Sequence, residues 1–346
     1  MTDKTIPPHI ERVEKVDPER TLDQALESRH GSRFSEYRRN YRLSLNADRD
    51  GHLPEFPITL GMELLNKCNF ACVMCHTTQD KSPKITLPRA TIEKVLAECG
   101  REGLPALMFG IGEEPLLHKQ FRDVFELAKA AEVMDVFLFT NGMLLTEDLS
   151  RFLIDRQITR VFVSLDAATP ETFRAIRGKD ELPRIEKNIR TLIRLRDEQG
   201  SALPMVRVSF CVQPENIAEK AAFIAKWKDV VDHIDFQMMH DFSDVAAMSG
   251  MDEDERNAPG SAADPDLRCH QPWEKLTIWA NGDVSPCCTF HGKNVIVGNV
   301  ETETLKDIWH GDKINNIRAQ LASGNLNPVC RVCLTKRDHD SFAGDG

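Results

Sequence analysis

No stretch of the chain approaches the roughly 18 consecutive apolar residues that a membrane-spanning helix requires. The opening MTDKTIPPHIERVEK is also too polar to hold the apolar core of a secretory signal. Basic charge is in short supply: the chain carries 54 acidic against 44 basic side chains, a net charge of −10, whereas a nucleic-acid groove needs clustered Lys and Arg. These deficits predict a soluble cytoplasmic protein that partners neither membrane nor nucleic acid. A further shortage is local. CNFACVMC, residues 68–75, offers three thiols and then runs on as HTTQDKSP with no fourth.

Cysteine as such is plentiful, at ten in 346 residues. In a long chain kept under reducing conditions, cysteine serves metal binding or catalysis rather than disulfides. The length suits two domains and a sizeable core. The cysteines are unevenly placed, three at 68–75 and five between 269 and 333, with only Cys99 and Cys211 standing alone.

Residues 1–55 are polar, with RHGSRFSEYRRNYRLSL as their one helical piece, and predict an N-terminal arm or cap over the next domain. From 56 to 240 short apolar runs alternate with stretches of helical period, which is the pattern of βα units and a parallel sheet. The runs are ITLGMELL, ALMFGI, VFLFT, RVFVSLD, MVRVSFCV and HIDFQMM. Between them, Ile92, Val95, Leu96 and Cys99 share one helical face, as do Ile185, Ile189, Leu192 and Ile193. Six such units are too few for an eight-stranded barrel, so the fold class predicted is α/β, an incomplete (β/α)6 TIM-like barrel with its chemistry at the C-terminal ends of the strands. CNFACVMC follows the first strand at that end.

Residues 241–268 are rich in acid, Ala, Gly, Ser and Pro without apolar period and read as a mobile linker. Residues 269–340 then form a compact α+β unit. LTIWANGDVSPCC sets two β-like arms around Asn281-Gly282, a strong hairpin signal. NVIVGNV adds a candidate strand and INNIRAQL a helix. A unit this small commonly supplements a thin core with metal.

Four-iron clusters are normally held by four thiolates, so three leave one iron open to a small chelating ligand such as a methionine's amino and carboxylate groups. The C-x3-C-x2-C spacing of Cys68, Cys72 and Cys75 resembles the signature of the radical S-adenosylmethionine (radical SAM) superfamily. A zinc site borrowing His76 or a remote ligand, or three core cysteines, is the competing reading. Three further segments resemble the family and arrive in its order: FGIGEEPLLH at 109–118, FTNG at 139–142 and VSLDAATPETFRAIRG at 163–178. The resemblance implies a 4Fe-4S cluster on the three cysteines and S-adenosylmethionine beside it. The cosubstrate's ammonium would go to the loop of Gly112 and Glu114, with Glu113 the alternative acid because the motif is doubled there. Asn141 joins the site through FTNG. Ser164 and Asp166 share one strand face and suit the ribose. Arg177 suits the carboxylate and Met74 the adenine, although a surface Arg and a core Met would look the same. The implied chemistry is reductive cleavage of the cosubstrate to a 5′-deoxyadenosyl radical that abstracts hydrogen from an unactivated C–H bond.

Cys269, Cys287, Cys330 and Cys333 follow as C-x17-C-x42-C-x2-C, with Cys288 adjoining. This resembles the shortened "twitch" form of the SPASM domain and implies one auxiliary 4Fe-4S cluster, a zinc ribbon being the competing reading. Such a cluster can take an electron from a substrate radical, giving a ketone. Alternatively a cysteine can return hydrogen to the opposite face, giving an epimer. Cys211 and Cys288 are the candidate catalytic donors, each against the plain alternative of a buried thiol. Cys99, on an apolar helical face, is core. His118, His240 and His270 are candidate proton acceptors. The expected substrate is a small sugar, aminocyclitol or polyol, with a peptide as the alternative. The expected electron donor is of flavodoxin or ferredoxin type. A non-catalytic zinc scaffold is the reading from another class.

Overall fold

The computed structural model describes residues 10–14, 18–239, 244–260 and 267–340. Its strands are β1 (Ile10–Glu14), β2 (Thr59–Met62), β3 (Ala106–Phe109), β4 (Asp135–Thr140), β5 (Arg160–Ser164), β6 (Met205–Val212), β7 (His233–Met238), β8 (Lys275–Ile278), β9 (Asp283–Ser285) and β10 (Gly298–Asn299). All ten join one sheet in the order β1-β7-β6-β5-β4-β3-β2-β8-β9-β10. β2 to β7 pair in parallel with helices between them, so the six βα units predicted form an incomplete barrel. No helix among the described residues is long and apolar enough to cross a membrane.

Burial follows the position of each strand. β2 and β3 are buried at every residue, as strands covered on both faces must be. β6 alternates from Val206 to Val212, with Arg207, Ser209 and Cys211 on its less buried face. That polar face turns inward and the apolar one meets the helices. The helix Arg89–Glu102 buries Ile92, Val95, Leu96 and Cys99, and Leu182–Glu198 buries Ile185, Ile189, Leu192 and Ile193. Cys99 is completely buried there, which leaves it no part in the chemistry.

Both edges of the barrel depart from the sequence reading. β1, inside the segment read as a polar extension, pairs antiparallel with β7 from Ile10–Gln237 to Glu14–His233. At the other edge β8 pairs in parallel with β2, and β9 and β10 continue antiparallel. The C-terminal hairpin therefore extends the barrel sheet itself. Its turn has Gly282 at φ 86°, where a side chain would be strained, and closes through Gly282 N–H to Trp279 O at 2.8 Å.

The N-terminal segment holds two long helices, Pro18–His30 and Ser32–Ser44, not one. Leu22, Leu26, Phe34 and Tyr37 pack on Ile58, Ala106, Met134, Leu203 and Met205, which lie at the beginnings of strands. The helices thus plug the barrel end opposite the cysteine loop. Tyr37 donates to the buried Asp135 at 3.1 Å, and Asp135 also takes Thr159 at 2.6 Å and pairs with Arg160 at 3.1 Å.

The stretch read as a mobile linker is structured where it is described. Val245–Ser249 and Glu253–Asn257 are helical, and Asp252 and Glu255 form a capping box at the second. Helices of five residues are too short to show an apolar period, which is why composition alone suggested a loop.

Candidate active site

CNFACVMC leaves β2 at its C-terminal end and is pinned from several sides. Asn66 accepts from Ile85 N–H at 2.7 Å and donates to Pro83 O at 2.9 Å, closing the loop that carries the thiols. Val73 N–H reaches Ile176 O at 2.9 Å. Phe70 meets Phe173 edge to face at 6.1 Å. Cys68, Cys72 and Cys75 all line one cavity of ≈ 270 Å³.

The predicted cosubstrate residues line that same cavity: Met74, Gly112, Glu114, Asn141, Ser164, Asp166 and Arg177, together with Glu113 and Cys211. They come from the ends of β2 to β6 and from the helix after β5. The loop after β3 approaches β4 closely, because Gly110 has φ +90° and a Cβ on it would lie 2.2 Å from Phe139 O. Glycine is the residue that fits there.

The doubled acid of that loop separates into two environments. Glu114 accepts from Asn141 N–H at 2.7 Å, the Thr140 hydroxyl at 2.8 Å and Leu116 N–H at 3.2 Å. Burial pushes its carboxyl up to about 7 against the pull of those donors. Glu113 accepts from Gly112 N–H at 2.9 Å through one oxygen, and its other oxygen is buried without a partner. Burial first, and the charge of Glu63 second, push Glu113 up to about 8. Glu63 itself takes Lys293 at 3.1 Å and Ala280 N–H at 3.0 Å.

Asp166 has φ 63°, a left-handed conformation that Asp tolerates better than most residues. Its carboxylate accepts from Cys211 N–H at 2.7 Å and pairs with Arg177. Asn216 donates to its backbone carbonyl at 2.8 Å. Arg177 also reaches Cys72 Sγ at 3.5 Å, which makes it a buried cation between a carboxylate and a thiol, not the plain surface residue that was its alternative. Asn141 donates to Asn69 at 2.7 Å. Asn69 and Thr140 are site residues that sequence reasoning did not single out, although Asn69 lies within CNFACVMC and Thr140 within FTNG.

The second thiol set assembles from three elements. Cys269 precedes β8, Cys287 follows β9, and Cys330 and Cys333 lie on the helix Pro328–Asp340. All four line a cavity of ≈ 360 Å³. Asn327 accepts from Cys330 N–H at 2.8 Å and donates to its sulfur at 3.4 Å. A Cβ on Gly292 would lie 2.6 Å from Cys287 Sγ, so close approach demands glycine. Cys288 lines neither cavity; its thiol faces Gln271 Oε1 at 3.8 Å. Of the two candidate hydrogen donors, only Cys211 is brought to the first site.

His270 pairs with Glu274 at 3.3 Å and lines the second cavity. His118 is buried in a separate cleft with Leu116 and Lys119. His240 lies outside the described residues.

The side chains present fit the groups that the sequence motifs imply. Burial and neighbouring thiols push Cys287 up well above its ordinary value and Cys330 up to about 12, so ionising them together needs a cationic centre. Among the described residues no three His, Cys, Asp or Glu side chains gather closely enough to hold a single metal ion. In the first cavity, the partnerless oxygen of Glu113 suits an ammonium, and the buried, partnerless Nε of Arg177 suits a carboxylate.

The profile of the radical SAM superfamily matches residues 62–206, and that of the SPASM iron–sulfur cluster-binding domain matches residues 269–334. The chain belongs to the radical SAM superfamily. This radical SAM enzyme has as cofactors a 4Fe-4S cluster, an auxiliary cluster in the SPASM domain, and S-adenosylmethionine. A probable GTP 3′,8-cyclase of Methanothermobacter thermautotrophicus is 31% identical over 136 residues, 39% of this chain and 44% of the relative. One from Methanocaldococcus jannaschii is 28% identical over 173 residues, 50% of this chain and 55% of the relative. The chain thus matches about half the length of these relatives. Among solved structures, Streptococcus suis SuiB bound to precursor peptide SuiA superposes with a TM-score of 0.59 at 15% identity, covering 89% of this chain and 80% of SuiB. At such identity the likeness concerns the fold.

Proposed function

We propose that this radical SAM enzyme acts on a small hydroxyl-bearing substrate, a sugar, aminocyclitol or polyol, and oxidises a secondary alcohol or inverts its carbon. The observation that carries the reading is a wall shared by the two cysteine-lined cavities. Phe290 lines the first, while its immediate neighbours Thr289 and His291, with Gly292 next along, line the second with Cys287. A substrate in the barrel therefore lies one loop away from the auxiliary thiols, as electron removal requires. When bound, the first cluster with S-adenosylmethionine supplies a 5′-deoxyadenosyl radical for hydrogen abstraction.

The chain's own residues divide the remaining work. Cys68, Cys72 and Cys75 hold the first cluster, and Cys269, Cys287, Cys330 and Cys333 the second. The acid pair after β3 receives the cosubstrate's ammonium: Glu114 is fixed in the cavity wall by three donors, and Glu113, its alternative, offers a buried oxygen with no other partner. Arg177 takes its carboxylate, Ser164 its ribose and Met74 its adenine. Asp166 acts by holding Arg177 and the Cys211 backbone, since its carboxylate is already engaged. Ser209 and Gln237 line the cavity and can hydrogen-bond a polyol. Inversion is the second reading, favoured by the position of Cys211. Burial, and Asp166 second, push its thiol far above the ordinary range, so it keeps the hydrogen that an inverted carbon would need.

The segments 1–55, 56–240, 241–268 and 269–340 are kept as functional divisions, although β1 and β8 to β10 join the barrel's sheet, and the electron donor is of flavodoxin or ferredoxin type. The test is anaerobic incubation of the reconstituted, reduced enzyme with candidate polyols in deuterated water. A ketone supports oxidation, and deuterium at an inverted carbon that disappears in Cys211→Ala supports epimerisation. Turnover of a purine nucleotide, as the relatives' name suggests, or of a peptide, as bound by SuiB, would replace the polyol reading. One or two zinc ions in place of iron would point to a scaffold.

A further inference from the structure

The helix Ser32–Ser44 has two unlike faces. Phe34, Tyr37 and Ser44 are buried, and Tyr41 and Leu45 line the cavity of Cys269, Cys287, Cys330 and Cys333. Arg39, Arg42 and Leu43 are exposed, Leu43 at 39%, and Arg49 is exposed on the short helix that follows. Residues 39, 42 and 43 fall on one stripe by helical spacing.

The charge of this region opposes that of the molecule. Residues 29–49 contain six arginines against Glu36 and Asp48, in a chain of net charge −10. Many arginines on the barrel's outer helices are neutralised by acidic neighbours, as in Arg89–Glu93, Arg151–Glu147, Arg156–Glu126 and Arg194–Glu198, and those that are not, such as Arg101 and Arg190, stand singly on separate helices. In the N-terminal region Arg33 and Arg38 are likewise paired, with Glu132 and Asp23. Arg39, Arg42 and Arg49 make no ion pair among the described residues. An apolar side chain flanked by unneutralised arginines is the composition of a docking surface for an acidic protein.

We propose that the stripe of Arg39, Arg42 and Leu43, with Arg49 beside it, docks an acidic electron-transfer protein next to the auxiliary site. The position gives the charge its purpose. A carrier seated there is separated from the second thiol set by one helix, roughly 10 Å thick with its side chains. The surface lies at the barrel end opposite the S-adenosylmethionine cavity, so a docked carrier leaves the substrate entrance free. The inference rests on the cofactor set and not on the substrate proposed above.

The test measures binding of purified flavodoxin, an acidic carrier, to the cluster-loaded enzyme over a salt series, for wild type and for Arg39→Glu/Arg42→Glu. Wild-type affinity should fall with salt, and the double variant should bind about tenfold more weakly with a flatter salt dependence. Dithionite-driven cleavage of S-adenosylmethionine should be unchanged, which shows that the variant folds and keeps its first cluster. If that activity is lost, the milder Arg39→Gln/Arg42→Gln should still weaken binding. Equal binding by wild type and a folded variant overturns the proposal. So does cross-linking of the carrier to the Cys68–Cys75 loop instead. Loss of self-association, or of binding to duplex DNA, with flavodoxin binding intact would assign the surface to a second copy or to nucleic acid and overturn it equally.

Discussion

The two cysteine-lined sites are built in opposite ways. The first rests on the ends of parallel strands, and its polar groups are tied to one another: Glu114 to Thr140 and Asn141, Asp166 to Arg177, Arg177 to Cys72. The second draws two of its thiols from loops beside strands of four and three residues and two from the helix Pro328–Asp340, so no single sheet end holds it. Its four thiols line one cavity, with Thr289 beside Cys287 and Asn327 beside Cys330. A strand-end site keeps its geometry through the sheet, whereas a loop-built site depends on what the thiols hold. The first site should therefore lose chemistry when altered, and the second should lose structure.

The largest expected effect separates the two. Cys72→Ala should abolish cleavage of S-adenosylmethionine with little change in thermal midpoint. Cys287→Ala should lower the midpoint of the C-terminal unit yet leave cleavage detectable. Iron analysis, calorimetry and assay of 5′-deoxyadenosine check both variants. A Cys287→Ala protein with unchanged melting would break the contrast.

The next effect tests the claim that the first site is held by its own charge pairs. Arg177→Met leaves Asp166 buried and unpaired, and breaking a buried pair in this way costs about 3–5 kcal/mol. Urea denaturation should show that loss, and the further change Asp166→Asn should recover part of it. If the single variant is as stable as wild type, the pair is not what holds the site.

The smallest effect is one of pH. Glu113 is pushed up to about 8, against about 4.3 in an unfolded chain. Between those values the folded protein keeps a proton that the unfolded chain releases. The stability tied to this group is thus full below the unfolded value and is lost as pH rises through the folded one. Protein free of S-adenosylmethionine should therefore become easier to unfold with urea from about pH 6 to about pH 8.5. Glu113→Gln should flatten that trend, and parallel pH profiles for the two proteins would clear Glu113 of it.

Much of this was legible in the sequence because the signals are local. Apolar runs spaced by helical stretches announce βα units, and CNFACVMC carries its spacing in eight residues. Asn281-Gly282 marks a hairpin whatever surrounds it. Other features depend on partners far along the chain. β1 is polar because it is an edge strand, and nothing local marks IERVE as the antiparallel neighbour of β7. Glu63 and Lys293 meet across 230 positions, and neither has a neighbour in sequence that predicts the other.

Residue types and their spacing were enough to establish six βα units, a three-thiol loop at the end of the first, and four later thiols, since each depends on short-range periodicity or on motif chemistry. Only the tertiary structure decided that the hairpin joins the barrel sheet, that the N-terminal helices plug its lower end, and that Cys211 but not Cys288 reaches the first cavity. Those outcomes turn on which faces are left to be buried once distant segments have met, and burial is a property of the whole packed chain.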